Sequence, residues 1–179
     1  GLLIISARHA TLTNCLITGN RATGDGGALR CGNATLVNCT ISGNSSGDGV
    51  GGIFGGGSGG DLLSIRNSIV CGNQGMDVSI VTFPGSRPSM TCWTEYSFVG
   101  IAPSCKPKGA GCPPLDQLFV RADYWDPNGT PDDLTDDFWV QGDYHLKSQA
   151  GRWDPASRSW VKDDVTRPAV DAGDPASPV

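Results

Sequence analysis

Twelve residues, "DPNGTPDDLTDD" at positions 126–137, hold the densest set of oxygen ligands in the chain. Asp126, Asn128, Thr130 and Asp132 fall at alternate positions and Asp137 stands twelfth. That is the spacing at which a loop wraps side-chain oxygens around Ca2+. The pattern departs from a Ca2+ loop where Pro131 replaces the turning glycine, and Asp137 is shorter than the usual glutamate. Asp126, Asn128, Asp132 and Asp137 are therefore candidate Ca2+ ligands, with a solvated acidic loop as the alternative. A second Ca2+ frame, G-G-x-G-x-D-x-U-x, fits "GGSGGDLLS" at 56–64. That site is built between stacked copies and the chain has one, so a Gly-rich insertion accounts for the same letters. The remaining acids and bases of the repeated region are Asp25, Asp48, Asp61 and Asp77 with Arg8, Arg21, Arg30 and Arg66. Asp25 and Asp48 sit in Gly-Asp-Gly corners, where Asp commonly forms turns. His9 and His145 stand apart from any nucleophile and read as structural.

A repeat positions these side chains. "TNCLITGN" (13–20) returns 24 residues later as "VNCTISGN" (37–44), and more loosely after 29 as "RNSIVCGN" (66–73). Aligned on Asn14, Asn38 and Asn67, the copies put Leu12, Leu36 and Ile65 in one column and Ile17, Ile41 and Val70 in another. Small and aliphatic residues alternate with more variable ones, the period of two of strands with one buried face. Outward positions then include Leu16, Thr18, Thr40 and Ser42. Gly19-Asn20, Gly43-Asn44 and Gly72-Asn73 close the copies and suit turns of positive φ. A fainter fourth copy, "YSFVG", sets Ser97 and Val99 another 29 residues on. "GGALRC" and "GGIFGG", 25 residues apart, mark further strands between Gly-rich corners.

A period of this length predicts a solenoid, whose units bury their apolar edges only by stacking. The leucine-rich-repeat frame also fits Leu12-x-x-Cys15-x-Ile17-x-x-Asn20, but the glycine density between copies forbids its helix. The predicted fold is all-β. A right-handed parallel β-helix of about four coils occupies residues 1–105, and an irregular, Asp- and Trp-rich segment, 106–179, packs on the last coil and shields its edge. The opening "GLLII" reads as a strand cut in mid-repeat, so further coils of a longer chain are expected partners.

Composition bounds the function. Among 179 residues there are 26 Gly and 38% hydrophobic residues, which fit short strands and tight turns. The net charge is -5 and the pI near 4.8, so nucleic acid is not an expected partner. No apolar run reaches the length of a membrane span. Seven Cys give no even disulfide set and no Cys-x-x-Cys pair, which argues against zinc. Cys15 and Cys39 share an inward position and serve as small apolar residues. Cys31 and Cys71 stay open, and Cys105 and Cys112 flank "KPKGAG", a loop that a disulfide would close in an exported protein. "NAT", "NCT", "NSS" and "NGT" match glycosylation sequons, which a Gly/Asn-rich repeat also produces by chance.

"TNCLITGN", "GGAL" and "VNCTISGNSS" resemble the right-handed parallel β-helix repeats of bacterial surface and secreted proteins, including the polymorphic outer-membrane-protein type. "LFV" (118–120), "GDYHLKSQAGRW" (142–153) and "PAVDAGDP" (168–175) are similar to the C-terminal part of large β-helix proteins from planctomycete-like bacteria. The resemblance implies a bacterial surface or secreted β-helix protein, and the expected function is a non-catalytic extracellular or cell-surface scaffold that contacts polysaccharide along its flank. Pectate-lyase-like enzymes share the fold and supply the alternative, a polysaccharide lyase fragment. That chemistry needs carboxylates gathered around Ca2+ with an Arg or Lys base beside the sugar's C5 proton, or several Asp at one glycosidic bond. The outward positions named above carry neither, so no catalytic residue is assigned.

Overall fold

The computed structural model describes residues 2–4, 9–57, 61–82, 90–106, 111–133, 135–170, 173, 174 and 176. Arg8, residues 58–60 of the glycine-rich Ca2+ frame and residues 107–110 between Cys105 and Cys112 lie outside them. The chain separates into two compact units, Gly1–Cys112 and Pro113–Val179. Among the described residues no helix is long and apolar enough to cross a membrane.

The first unit is a parallel β-solenoid of about three turns with three faces. Face A stacks Leu2–Ile4, Leu29–Cys31, Ile53–Gly57 and Val78–Thr82. Face B stacks Ala10–Thr13, Ala34–Val37, Leu62–Arg66, Thr91–Glu95 and Cys105–Lys106. Face C stacks Leu16–Thr18, Thr40–Ser42, Ile69–Val70 and Phe98–Val99. No described residue between the copies is helical, which disposes of the leucine-rich-repeat frame.

The register reproduces the sequence columns. Leu12 pairs with Leu36 and Leu36 with Ile65; Ile17 pairs with Ile41, Ile41 with Val70 and Val70 with Val99. Leu36, Ile41, Ile65 and Val70 are fully buried, and each stack continues into the next coil. Leu29, Ile53 and Val78 form the matching inward column of face A. A fully buried Leu or Ile contributes about 1.5–3 kcal/mol, so these columns are the main source of stability.

Two corners make the alternation possible. Asn14, Asn38, Asn67 and Tyr96 turn the chain from face B to face C in the left-handed region, at φ 55, 53, 49 and 49°. Asn takes that conformation more readily than other non-glycine residues. Gly19, Gly43 and Gly72 have φ of 63, 64 and 72°, as the Gly-Asn closures require. The Asn that follows each glycine points inward. Asn20 Nδ2 donates to Asn44 Oδ1 at 3.0 Å, Asn44 Nδ2 to Asn73 Oδ1 at 2.9 Å, and Asn73 Nδ2 to Asp77 Oδ1 at 2.8 Å. The last coil has no Asn for this ladder. Asp77 ends it as a pure acceptor, its Oδ2 taking the Ile101 N–H at 3.0 Å. Burial raises the Asp77 carboxyl above its ordinary value, and the bonds from Asn73 and Ile101 only partly oppose this.

Two expectations are corrected. Cys105 and Cys112 are not joined to each other: Cys92 bonds Cys105 and Cys71 bonds Cys112. Face B sets Cys105 directly beside Cys92 in register, a nearer partner than any across the loop. Cys15, Cys31 and Cys39 are free, and Cys31 and Cys39 are buried. Burial pushes the Cys31 thiol up to about 11. Ser42, expected to face outward, is fully buried, whereas Leu16 is half-exposed and Thr18 and Thr40 are half-buried.

The second unit carries two antiparallel hairpins, Tyr124–Asp126 with Phe138–Val140 and Arg152–Asp154 with Ser159–Val161. Leu118 and Phe119 are its fully buried side chains, and Phe119 meets Tyr144 edge-on at 5.2 Å between centroids. The Tyr144 hydroxyl donates to the nearly buried Asp123 carboxylate. Arg152 holds Asp163 through two bonds, at 2.9 and 3.2 Å, and the Ser148 N–H adds a third at 2.9 Å. Two of the motifs that carry the tail's resemblance, "LFV" and "GDYHLKSQAGRW", thus supply packing within this unit, whereas residues 171, 172 and 175 of "PAVDAGDP" lie outside the described residues.

Candidate functional site

On face B every second side chain points outward, so the register lines up one residue per coil. Thr11, Thr35, Ser64, Trp93 and Lys106 form one such row across the strands. Thr13, Val37, Arg66 and Glu95 form the next. Inward neighbours Leu36, Leu63, Ile65 and Cys92 are buried in the core, which fixes the outward set in place. Trp93 is 48% exposed, a large apolar surface in register with the hydroxyls of Thr11, Thr35 and Ser64. Arg66 pairs with Glu95 at 3.1 Å, both about half-exposed. At the other end His9 bridges Asn33 and Thr35, with Nδ1 2.8 Å from Asn33 Oδ1 and Nε2 2.7 Å from Thr35 Oγ1. The face thus sets hydroxyls beside an exposed indole, one strand in from its Lys106 edge.

The sequence columns did not reveal this face, although the signal was present. Counting 29 residues from Ser64 and Arg66 lands on Trp93 and Glu95. The fourth copy is too diverged for its strand to be seen by letter matching, yet it pairs in the same register as the others.

The proposed Ca2+ ligands lie in the loop of the first hairpin. Asp126 Oδ1 accepts the Asn128 N–H at 2.9 Å, an Asx turn that Asn128 follows at φ 51°. Thr130 Oγ1 reaches Asp136 at 2.7 and 2.8 Å, and Asn128 Nδ2 is 3.4 Å from the same carboxylate. Asp136, absent from the sequence pattern, is thus the carboxylate on which this loop closes. Asp132 is exposed and Asp137 half-buried. Asp133 caps the Thr135 side chain and N–H, and these two bonds, in that order, lower its carboxyl below the ordinary range. Among the described residues no three His, Cys, Asp or Glu side chains gather as a metal cluster.

The described acids of the solenoid lie in different settings. Asp77 is buried in the ladder, Asp25 and Asp61 are half-buried and Asp48 is exposed. Arg30 lies over the Phe54 ring on face A at 5.3 Å, and Arg66 is paired on face B. His145 bonds Asp143 through Nδ1 at 2.6 Å in the second unit. A hollow of about 410 Å³ at the last coil is lined by Val99, Ile101, Ala102 and Pro103 among others, and brings no acid or base with it.

A family model described as "Disaggregatase related" matches residues 124–173, the stretch that spans both hairpins of the second unit. It covers less than a third of the chain and none of the solenoid. No match was found among curated proteins or among solved structures.

Proposed function

We propose that this chain is a non-catalytic β-solenoid scaffold that works outside the cell or on its surface and contacts polysaccharide along its flank. The observation that carries the reading is face B: hydroxyls of Thr11, Thr35 and Ser64 in register with the exposed indole of Trp93. Such a wall offers hydrogen bonds and one stacking surface, the two interactions by which sugars are held. Two disulfides support export, because such bonds persist in oxidising compartments. Turnover of uronates, the competing reading, would need a base and carboxylates converging on one sugar.

The test is co-sedimentation with a panel of insoluble polysaccharides, each incubation also followed for release of unsaturated, ultraviolet-absorbing products. Retention on at least one polymer without product release is expected. Unsaturated products abolished by Arg30→Ala or Arg66→Ala would replace the scaffold by a lyase.

A further inference from the structure

We infer that face B binds an uncharged, extended glycan laid across the strands, one sugar ring per coil, with Trp93 as the stacking anchor. The inference rests on the polysaccharide contact proposed above and names its ligand and its geometry. Parallel strands stack about 4.8 Å apart, close to the roughly 5 Å by which an extended pyranose chain advances per ring. The row Thr11, Thr35, Ser64, Trp93 and Lys106 therefore presents one polar or aromatic contact at each ring of such a chain. A chain running along the strands would instead meet side chains of only one coil.

Charge chooses between glycan classes. The Arg66 guanidinium is already engaged by Glu95 at 3.1 Å, so the neighbouring row is close to neutral. Within the row only Lys106, at its end, carries charge; the other four contacts, three hydroxyls and an indole, suit the equatorial hydroxyls and C–H face of an uncharged pyranose. The backbone that carries Trp93 is held in register between Leu62–Arg66 and Cys105–Lys106, and the neighbouring Cys92 is bonded to Cys105. Preorganisation of this kind lowers the ordering cost of binding.

The experiment is calorimetric titration of the whole chain with neutral β-linked glucan and xylan oligosaccharides, from a single ring to about six rings. Polygalacturonate at low and high salt is the charged comparator. Affinity should rise with each added ring until about five rungs are covered and then level off. Trp93→Ala should weaken binding about tenfold with its folding transition unchanged, Trp93→Phe should retain most of the affinity, and Ser64→Ala should cost about threefold. Affinity independent of length, or binding indifferent to Trp93→Ala, overturns the inference while leaving polysaccharide contact elsewhere on the flank. Tighter, strongly salt-dependent binding of polygalacturonate overturns the uncharged ligand. Absence of binding to any polymer or oligosaccharide overturns both the inference and the proposed function.

Discussion

Replacing Asn44 by Ala removes the middle rung of the ladder. Asn44 is 1% exposed. Its Oδ1 accepts from the Asn20 N–H and from Asn20 Nδ2, each at 3.0 Å. Its Nδ2 lies 2.9 Å from Ile17 O, 3.0 Å from Ser42 O and 2.9 Å from Asn73 Oδ1. Two amide hydrogens can serve only two of those three acceptors well, so the side chain makes about four hydrogen bonds. At about 1 kcal/mol net each, with partners left behind in a buried site, the loss comes to about 3–5 kcal/mol. That is a large part of the 5–15 kcal/mol typical of a domain. Asn20→Ala, at the half-buried end of the ladder, should cost about 1 kcal/mol. Asn44→Asp keeps the acceptor for Asn20 but turns the donor into an oxygen facing three acceptors. It should be the least stable of the three at neutral pH and recover in acid, where the protonated carboxyl regains one donor. Urea unfolding followed by circular dichroism reads all three, with slopes compared to confirm a common unfolded state. If Asn44→Ala costs no more than Asn20→Ala, or Asn44→Asp shows no recovery in acid, the ladder is not what holds this corner.

The Asp77 carboxyl is raised by burial, so its contribution to folding is full below the ordinary value of 3.8 and declines as pH rises through the folded-state value. Solenoid stability should therefore fall as pH climbs from about 4 towards neutrality, and Asp77→Asn should abolish that decline while costing about 1–3 kcal/mol in acid, where its amide opposes the Ile101 N–H. Reduction should remove chain constraints of about 4 kcal/mol for the separation of 41 and about 3 kcal/mol for that of 13. Hydrogen exchange under reductant should accordingly loosen the last coil first, and uniform loosening would argue against staples at that end. If residues 126–137 hold Ca2+, millimolar Ca2+ raises the melting temperature of the second unit and Asp126→Ala abolishes the rise. An unmoved melting temperature rejects the metal, and Asp136→Asn should then weaken the loop equally with and without Ca2+.

Much of the solenoid was legible because stacking demands like residues at like positions. Leu12, Leu36 and Ile65 could be aligned by eye, and they pair as aligned. Legibility ended where one letter serves two physical purposes. Asn38 and Asn44 lie six positions apart in one copy; the first makes a left-handed corner and the second is a buried amide, and composition alone treats both as turn residues. Tyr96 takes the corner that Asn67 occupies one coil earlier, a substitution of letter without change of conformation. Face B was hidden for the same reason: Trp93 bears no likeness to Ser64, so letter matching passed over a row that the 29-residue spacing marks and the pairing shows. The disulfide partners are set by register and by proximity between distant segments, which spacing along the chain does not report. In the hairpin loop the alternating oxygens were legible, but Asp136 falls outside that alternation, so its role depended on how the turn folds back.

The most direct test of polysaccharide contact through face B is a covalent footprint of the folded protein with and without the retained polymer. Indole oxidation and lysine acylation would be read residue by residue by mass spectrometry. Protection should concentrate at Trp93 and Lys106, while the exposed indoles of Trp153 and Trp160 in the second unit keep their reactivity. Protection of Trp153 and Trp160 with Trp93 still reactive would place the contact in the second unit and contradict a binding flank on the solenoid.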